Sequence, residues 1–276
     1  KSLNFFRNVK HEVISENDLD KTVNIYVEEK PTGEIAAGAG FGTDGGTVFF
    51  NISENNYLGK GIKIDTSLKL SAESVKGVFR TTHNNYKNTN KSLSYAIEAD
   101  EVDRLKNFGY KSNKTGLSVA TKFEYLDDFS LGLGTKSYYE KIETDNTAST
   151  RQKKQEGDYW DTFLNIEFDY DKRNQRFKTS DGFISHYFID LPILSTNYSV
   201  TSGYNYKYYT ELYQNNISSF SFSLKAATSL TDKDIKLSER LYVPSYKLRG
   251  FEAGKVGPKD GEDFIGGNYI STVNMS

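Results

Sequence analysis

The chain has 276 residues, enough for one large β domain or two ordinary ones. Its 35 Lys and Arg against 37 Asp and Glu give a net charge of -2 with no dense basic block, which argues against a nucleic-acid partner, and zero Cys removes disulfides, thiolate metal sites and Cys nucleophiles together. No run approaches the roughly 18 apolar residues a membrane helix needs, and a hydrophobic content of only 36%, which ordinarily reads as a soluble protein, still allows a membrane barrel, whose strands alternate lipid-facing and lumen-facing residues.

Twenty Tyr and 18 Phe against four Pro and one Met favour strands, since aromatic side chains suit a pleated surface. Phe6 to Ser15 and Thr22 to Glu29 read as two paired strands around Glu16-Asn17-Asp18, the second alternating Val23, Ile25 and Val27 with Asn24, Tyr26 and Glu28. Lys30-Pro31-Thr32-Gly33 then makes a hinge, because Pro cannot donate to a ladder. From Gly33 onward alternation dominates and predicts about twelve strands. They lie near residues 34–42, 46–53, 61–72, 74–83, 92–101, 114–125, 128–140, 159–172, 182–192, 198–213, 217–230 and 268–275. Ile62, Ile64, Leu68 and Leu70 alternate with Lys63, Asp65, Ser67 and Lys69, and Phe220, Phe222, Leu224 and Ala226 with Ser219, Ser221, Ser223 and Lys225. Period two places each set on one face of a strand. Turn formers separate the runs at Thr43-Asp44-Gly45-Gly46, Asn55-Asn56, Asn84-Asn85, Asn113-Lys114, Asp127-Asp128 and Thr179-Ser180-Asp181-Gly182.

Strands of this length, joined by alternately short and long connections, match a membrane barrel. The alternative is a soluble β-sandwich, disfavoured because several runs exceed the roughly 5 to 6 residues usual there. Tyr125, Tyr138, Tyr139, Tyr159, Trp160 and Tyr170 fall near strand ends, as an interfacial girdle would place them. The stretch from about Asp232 to Gly267 is a loop far longer than the roughly 12 to 15 residues that compact domains tolerate without a function. It carries Leu248-Arg249-Gly250-Phe251. A single Arg beside a Gly in so long a loop suggests a loop anchored inside, against the plainer reading of a surface Arg in an ordinary turn.

Other chemistry is weak. Gly40-Phe41-Gly42-Thr43-Asp44-Gly45 satisfies GxGxxG, yet a strand, Thr47 to Phe50, follows where a dinucleotide site needs a helix. His11, His83 and His186 sit on separate segments without ligand spacing, so no metal is predicted. Asp260, Glu262 and Asp263 read as a solvated acidic loop rather than a calcium loop. No GxSxG elbow occurs, no cofactor is predicted, and nothing supports an enzyme.

At this point the chain resembles the BamA-type outer-membrane assembly factors. The likeness rests on Asn55-Asn56-Tyr57-Leu58-Gly59-Lys60-Gly61, on Asp171-Lys172-Arg173 with Thr179-Ser180-Asp181-Gly182, and most specifically on Leu248-Arg249-Gly250-Phe251, Gly257-Pro258 and Gly266-Gly267-Asn268. The Asn-rich stretch Asn84 to Asn90 departs from the Pro-aromatic turn that relatives carry. The resemblance implies an antiparallel transmembrane β-barrel over residues 31–276, preceded in residues 1–30 by the end of an α+β POTRA domain, with Leu3 to Val9 as its helix-to-strand passage. Such barrels have an even number of strands, about sixteen in this family, so the chain resembles a C-terminally truncated fragment.

It further implies a sixth loop inserted in the lumen, with Arg249 pairing to a wall carboxylate. A lateral seam is implied at the first strand, over Ile35, Ala37, Gly38, Ala39, Gly40, Phe41 and Gly42. The implied location is the bacterial outer membrane, with the POTRA part in the periplasm. The implied partners are unfolded outer-membrane barrel clients, accessory assembly lipoproteins and outer-membrane lipid. A TamA-like factor or a two-partner secretion pore shares the sixth-loop motif, and a passive porin is the rival from outside the family.

Overall fold

The computed structural model describes residues 5–15, 21–42, 45–176, 178–214, 216–244, 247–248, 250–252 and 254–276. A hairpin comes first, β1 (Phe6–Ser15) with β2 (Lys21–Glu29). A meander follows: β3 (Gly33–Gly42), β4 (Gly45–Tyr57), β5 (Ile62–Ser71), β6 (Ser74–His83), β7 (Ser92–Arg104), β8 (Tyr110–Leu126), β9 (Phe129–Thr144), β10 (Gly157–Asp171), β11 (Gly182–Ser195), β12 (Ser199–Tyr213) and β13 (Asn216–Ser229). After a tiny hairpin, β14 (Lys259–Asp260) with β15 (Asp263–Phe264), comes β16 (Tyr269–Met275). Strands β3 to β13 and β16 form one 12-stranded antiparallel sheet in which each strand neighbours the next in sequence, and β3 and β16 are its two edges.

All twelve expected sheet strands are present, and several run longer than expected. The turn expected at Asn113-Lys114 is corrected: both residues lie inside β8, paired with Lys141 and Glu140 of β9. The reversal sits earlier, in the short helix α1 (Leu105–Phe108), capped by Gly109 at a left-handed φ of 70°.

Register assigns the two faces. On one, Leu164, Ile166 and Phe168 of β10 lie beside Thr135, Leu133 and Leu131 of β9 and Leu191, Ile189 and Tyr187 of β11. On the other, Lys122 of β8 spans β9 to reach Asp169 of β10 at 2.7 Å, and Lys136 of β9 spans β10 to reach Asp190 of β11 at 3.2 Å. Charge pairs that cross an intervening strand belong to the inside of a curled sheet. A soluble sandwich buries its apolar faces between two sheets; here the polar face is inside and the apolar face is uncovered among the described residues. Ile97, Leu117, Trp160 and Val273 are each more than half exposed on it. An apolar face running across 12 strands far exceeds the few hundred Å² that soluble monomers expose. It is matched by strands long enough to cross a bilayer.

Rings link β9 to β13 along the outer face: Phe129 stacks on Phe168 at 6.0 Å, Phe168 on Tyr187 at 6.1 Å, Phe183 lies 5.7 Å from Tyr206 and Tyr204 lies 6.3 Å from Phe222. The expected girdle is partly corrected. Tyr139 and Trp160 pair on the outer face, but Tyr138 pairs with Asp161 and Tyr159 with Glu140 on the inner one. Adjacent tyrosines cannot share a face when the side-chain period is two.

The connections alternate between two ends. At the end where β3 begins lie 57–62, 83–92, 126–129, 171–182 and 213–216; at the far end lie 42–45, 71–74, 104–110, 144–157, 195–199 and 229–269. The long loop is therefore the sixth connection of the far end. The Asn55 to Gly61 turn is held by Asn56, whose Oδ1 accepts from Gly61 N at 2.7 Å. At 171–182, Arg173 donates twice to Asp171, at 2.8 and 2.7 Å, while Asn174 Oδ1 accepts from the backbone of Gln175, Ser180 and Asp181. In the Asn-rich turn, Lys87, Asn88 and Asn90 take positive φ, and Asn85 Oδ1 accepts from Asn90 N at 3.0 Å.

Candidate functional site

Two places concentrate the expected site residues: the β3 edge and the long loop. The turn that GxGxxG implied is the β3–β4 hairpin, with Thr43 and Asp44 outside the described residues. Among the described residues, strand β3 pairs with β4 alone. Outward from it point Ile35 and Phe41, 74% and 94% exposed, with Ala37 and Ala39 between them. Inward lie Gly38, Gly40 and Gly42. At Gly38 the ring of Phe49 occupies the side-chain space, since a Cβ there would meet Phe49 Cε1 at 2.5 Å. The residues expected at a seam thus lie together on one strand with small side chains along its inner face.

The long loop is not structureless. Its stem puts three successive side chains into three different sites. Ile235, 2% exposed, joins Ala227 and Leu241, with Ile270 packed alongside. Leu237 enters a second cluster with Phe108, Tyr110 and Ile142, flanked by Tyr159, Tyr242 and Phe264.

Between them Lys236, 1% exposed, reaches Asp161 Oδ2 at 2.5 Å, Glu140 Oε2 at 2.9 Å and Glu239 Oε1 at 3.1 Å, with Tyr159's ring centroid 5.1 Å away. The ammonium donates to Asp161 and Glu140 and forms an ion pair with Glu239. The remaining carboxylate oxygens are also met: Ser112 Oγ donates to Glu140 Oε1 at 2.6 Å, Ser195 Oγ and Thr196 N to Asp161 Oδ1, and Ser199 Oγ to Glu239 Oε2. Burial by itself would push the Lys236 ammonium down, but the pull of Glu239, Glu140 and Asp161 together outweighs it and holds the group above the usual lysine range.

The far end is closed over by neighbouring connections. Helix α2 (Thr150–Lys153) begins with a capping box in which Gln152 N donates to Ser149 Oγ at 3.1 Å and Ser149 N to Gln152 Oε1 at 2.8 Å. Ser149 Oγ also donates to Asp260 of the long loop at 2.5 Å, and Gln152 Nε2 to Phe108 O of α1 at 3.2 Å. Arg151 makes a bidentate pair with Asp234, at 2.5 and 2.7 Å. The Arg151 guanidinium holds that carboxyl below the usual range. Leu241 and Gly267 exchange two backbone hydrogen bonds of 2.8 Å, closing the neck of the loop. Asp260 is therefore docked rather than freely solvated.

Of the motif at 248–251, Leu248 is half-buried, Gly250 adopts φ 85° and Phe251 is 55% exposed, while Arg249 lies outside the described residues. The anchoring cation within them is Lys236, which sequence reasoning passed over together with Glu140, Asp161 and Glu239. The available signal was a Lys between two aliphatics in Ile235-Lys236-Leu237.

Several known proteins resemble this one. BamA of Nitratidesulfovibrio vulgaris, an outer membrane protein assembly factor, is 22% identical over 98% of this chain and 35% of its own length. A SAM50-like protein of Schizosaccharomyces pombe is 24% identical over 96% of this chain and 57% of its own. The chain thus spans about a third of one relative and somewhat over half of the other. Among solved structures, BamA from Haemophilus ducreyi lacking POTRA domains 1-3 superposes with a TM-score of 0.84 at 19% identity, covering 100% of this chain and 58% of that one. CdiB from Acinetobacter baumannii reaches 0.55 at 12% identity, over 91% and 49%. The first likeness confirms an antiparallel barrel fold. Residues 56–276, from the Asn56 turn through the pinned loop to β16, match the Omp85 superfamily domain, and the chain belongs to the Omp85 superfamily.

Proposed function

We propose that this chain is the barrel-bearing part of a bacterial outer-membrane assembly factor, a non-enzymatic insertase that folds client barrels into the outer membrane. The observation that carries the reading is the make-up of strand β3: apolar on its outer face, glycine-rich on its inner one, and with little side-chain packing to hold a neighbour. In lipid every unpaired backbone group costs several kcal/mol. Glycines leave little side chain to pack across a seam at β3, so it closes weakly, and once open it recovers its backbone hydrogen bonds with a client strand, which adds by β-augmentation. The likeness to BamA supports the choice of client, an unfolded outer-membrane barrel, and of location.

Within this reading residues 1–30 end a periplasmic POTRA domain. The β1–β2 hairpin supports that assignment, because Val13, Val23 and Ile25 are each more than half exposed, as befits one layer of a larger α+β unit. Residues 31–276 are the barrel, and accessory lipoproteins and outer-membrane lipid are its other partners. The 248–251 motif belongs to the loop in this reading, with Arg249 itself outside the described residues.

The likeness to CdiB favours a second reading, a related secretion pore. Depleting the full-length protein in its host separates them: under the insertase reading other outer-membrane barrels fail to accumulate, and their normal accumulation with loss of one secreted protein supports the pore and refutes the insertase.

A further inference from the structure

The Lys236 cluster draws one side chain from each of five consecutive strands: Ser112 of β8, Glu140 of β9, Asp161 of β10, Ser195 of β11 and Ser199 of β12. The fourth charged member, Glu239, comes from the stem itself, three residues on. A buried ionic group is a poor source of net stability, because desolvation offsets much of the Coulombic gain. Its two hydrogen bonds, to Glu140 and Asp161, are nonetheless directional, whereas burial of Ile235 and Leu237 is not. Either apolar cluster accepts a different aliphatic at modest cost. The three carboxylates around the Lys236 ammonium converge at one seat among the described residues.

We propose that Lys236 is the register pin of the long loop: its ammonium, rather than the burial of Ile235 and Leu237, selects the single position of the stem on the β8–β12 wall. Lys236 is a positioning residue in this role. It acts on the loop that carries the 248–251 motif without being part of that motif. The pin is complete within residues 112–239, so the seat is set independently of Arg249.

The chain's lack of Cys allows a spin-label pair to be placed in this region, at Asp127→Cys in the β8–β9 turn and Asp232→Cys at the start of the stem, both exposed. The experiment is a pulsed dipolar distance measurement on the full-length protein in lipid vesicles. With the native pin the expected result is one narrow distance. Lys236→Met alone strands three buried carboxylates and is expected to displace the stem or block assembly. The neutral set Lys236→Met, Glu140→Gln, Asp161→Asn and Glu239→Gln removes the stranded charge. It is expected to restore assembly while giving a broadened, shifted or second distance.

An unchanged narrow distance in either variant overturns the proposal. So does failure of the neutral set to assemble, which would make the groups necessary for folding rather than for the choice of seat. The readout is a distance, so the result stands apart from any test of client insertion.

Discussion

Leu237→Ala tests how the stem is held. Leu237 is 2% exposed and sits among Phe108, Tyr110 and Ile142. The surrounding rings have little freedom to close over a void. Phe108 and Tyr242 make an edge contact at 5.3 Å, and the Arg104 guanidinium lies over both, 5.0 and 5.5 Å from their centroids. Leu to Ala changes in cores cost about 2–5 kcal/mol, and sites that relax poorly lie in the upper part, so about 3–5 kcal/mol is expected here. At about 1.4 kcal/mol per factor of ten, that raises local opening of the stem roughly a hundredfold to a few thousandfold.

The assay is hydrogen exchange on the full-length protein in lipid. Exchange should accelerate at the amides of Arg240 and Leu241, which donate to Leu237 O and Gly267 O, and around α1. Strands β4 to β6 share no contact with the cluster and should be unaffected. Unaltered exchange at 235–241, or equal acceleration through β4 to β6, would refute the view that this cluster holds the stem locally.

Gly182→Ala should be far more harmful than Gly250→Ala, although both positions have left-handed φ, 96° and 85°. A Cβ at Gly182 would intrude on the Lys172 backbone oxygen and lie 2.9 Å from Arg173 Cα, while one at Gly250 meets nothing within 4 Å among the described residues. Gly250→Ala should cost only the roughly 1–2 kcal/mol of the left-handed backbone, and similar urea unfolding midpoints for the two variants would contradict this. At Asp234 the hydrogen bonds from Arg151 depress the carboxyl pKa, so the pair's stabilisation is present above the ordinary Asp value of about 3.9 and is lost as pH falls through the depressed one. Both side chains are substantially exposed, 51% and 40%, which limits the effect to about 0.2–1 kcal/mol. Asp234→Asn should flatten the acid limb of stem opening followed by pH-corrected exchange, and an unchanged limb would rule the pair out as its source.

The alternation that defines the sheet was legible because each strand carries its own face assignment: Leu164, Ile166 and Phe168 declare one side whatever their neighbours do. Turn residues located most reversals. Asn113-Lys114 misled because β8 continues through that pair, and the actual turn depends on Gly109 taking a left-handed φ. Residues 34–42 were legible as a strand from their spacing and composition, and their place at one edge of the described sheet follows from pairing order. The Lys236 site was not legible. Its charged members are separated by 75 residues between Asp161 and Lys236 and 96 between Glu140 and Lys236, and nothing local to Glu140 or Asp161 distinguishes them from the other inward-facing acids.

By itself, then, the sequence determined the β class, the order and approximate extent of the sheet strands, and which residues share a face, since period-two patterning and turn chemistry act over a few residues. The tertiary structure alone decided how the long loop is seated. That depends on strands curling until Ser112, Glu140, Asp161, Ser195 and Ser199 converge on one ammonium, and convergence is a property of register and curvature rather than of any segment.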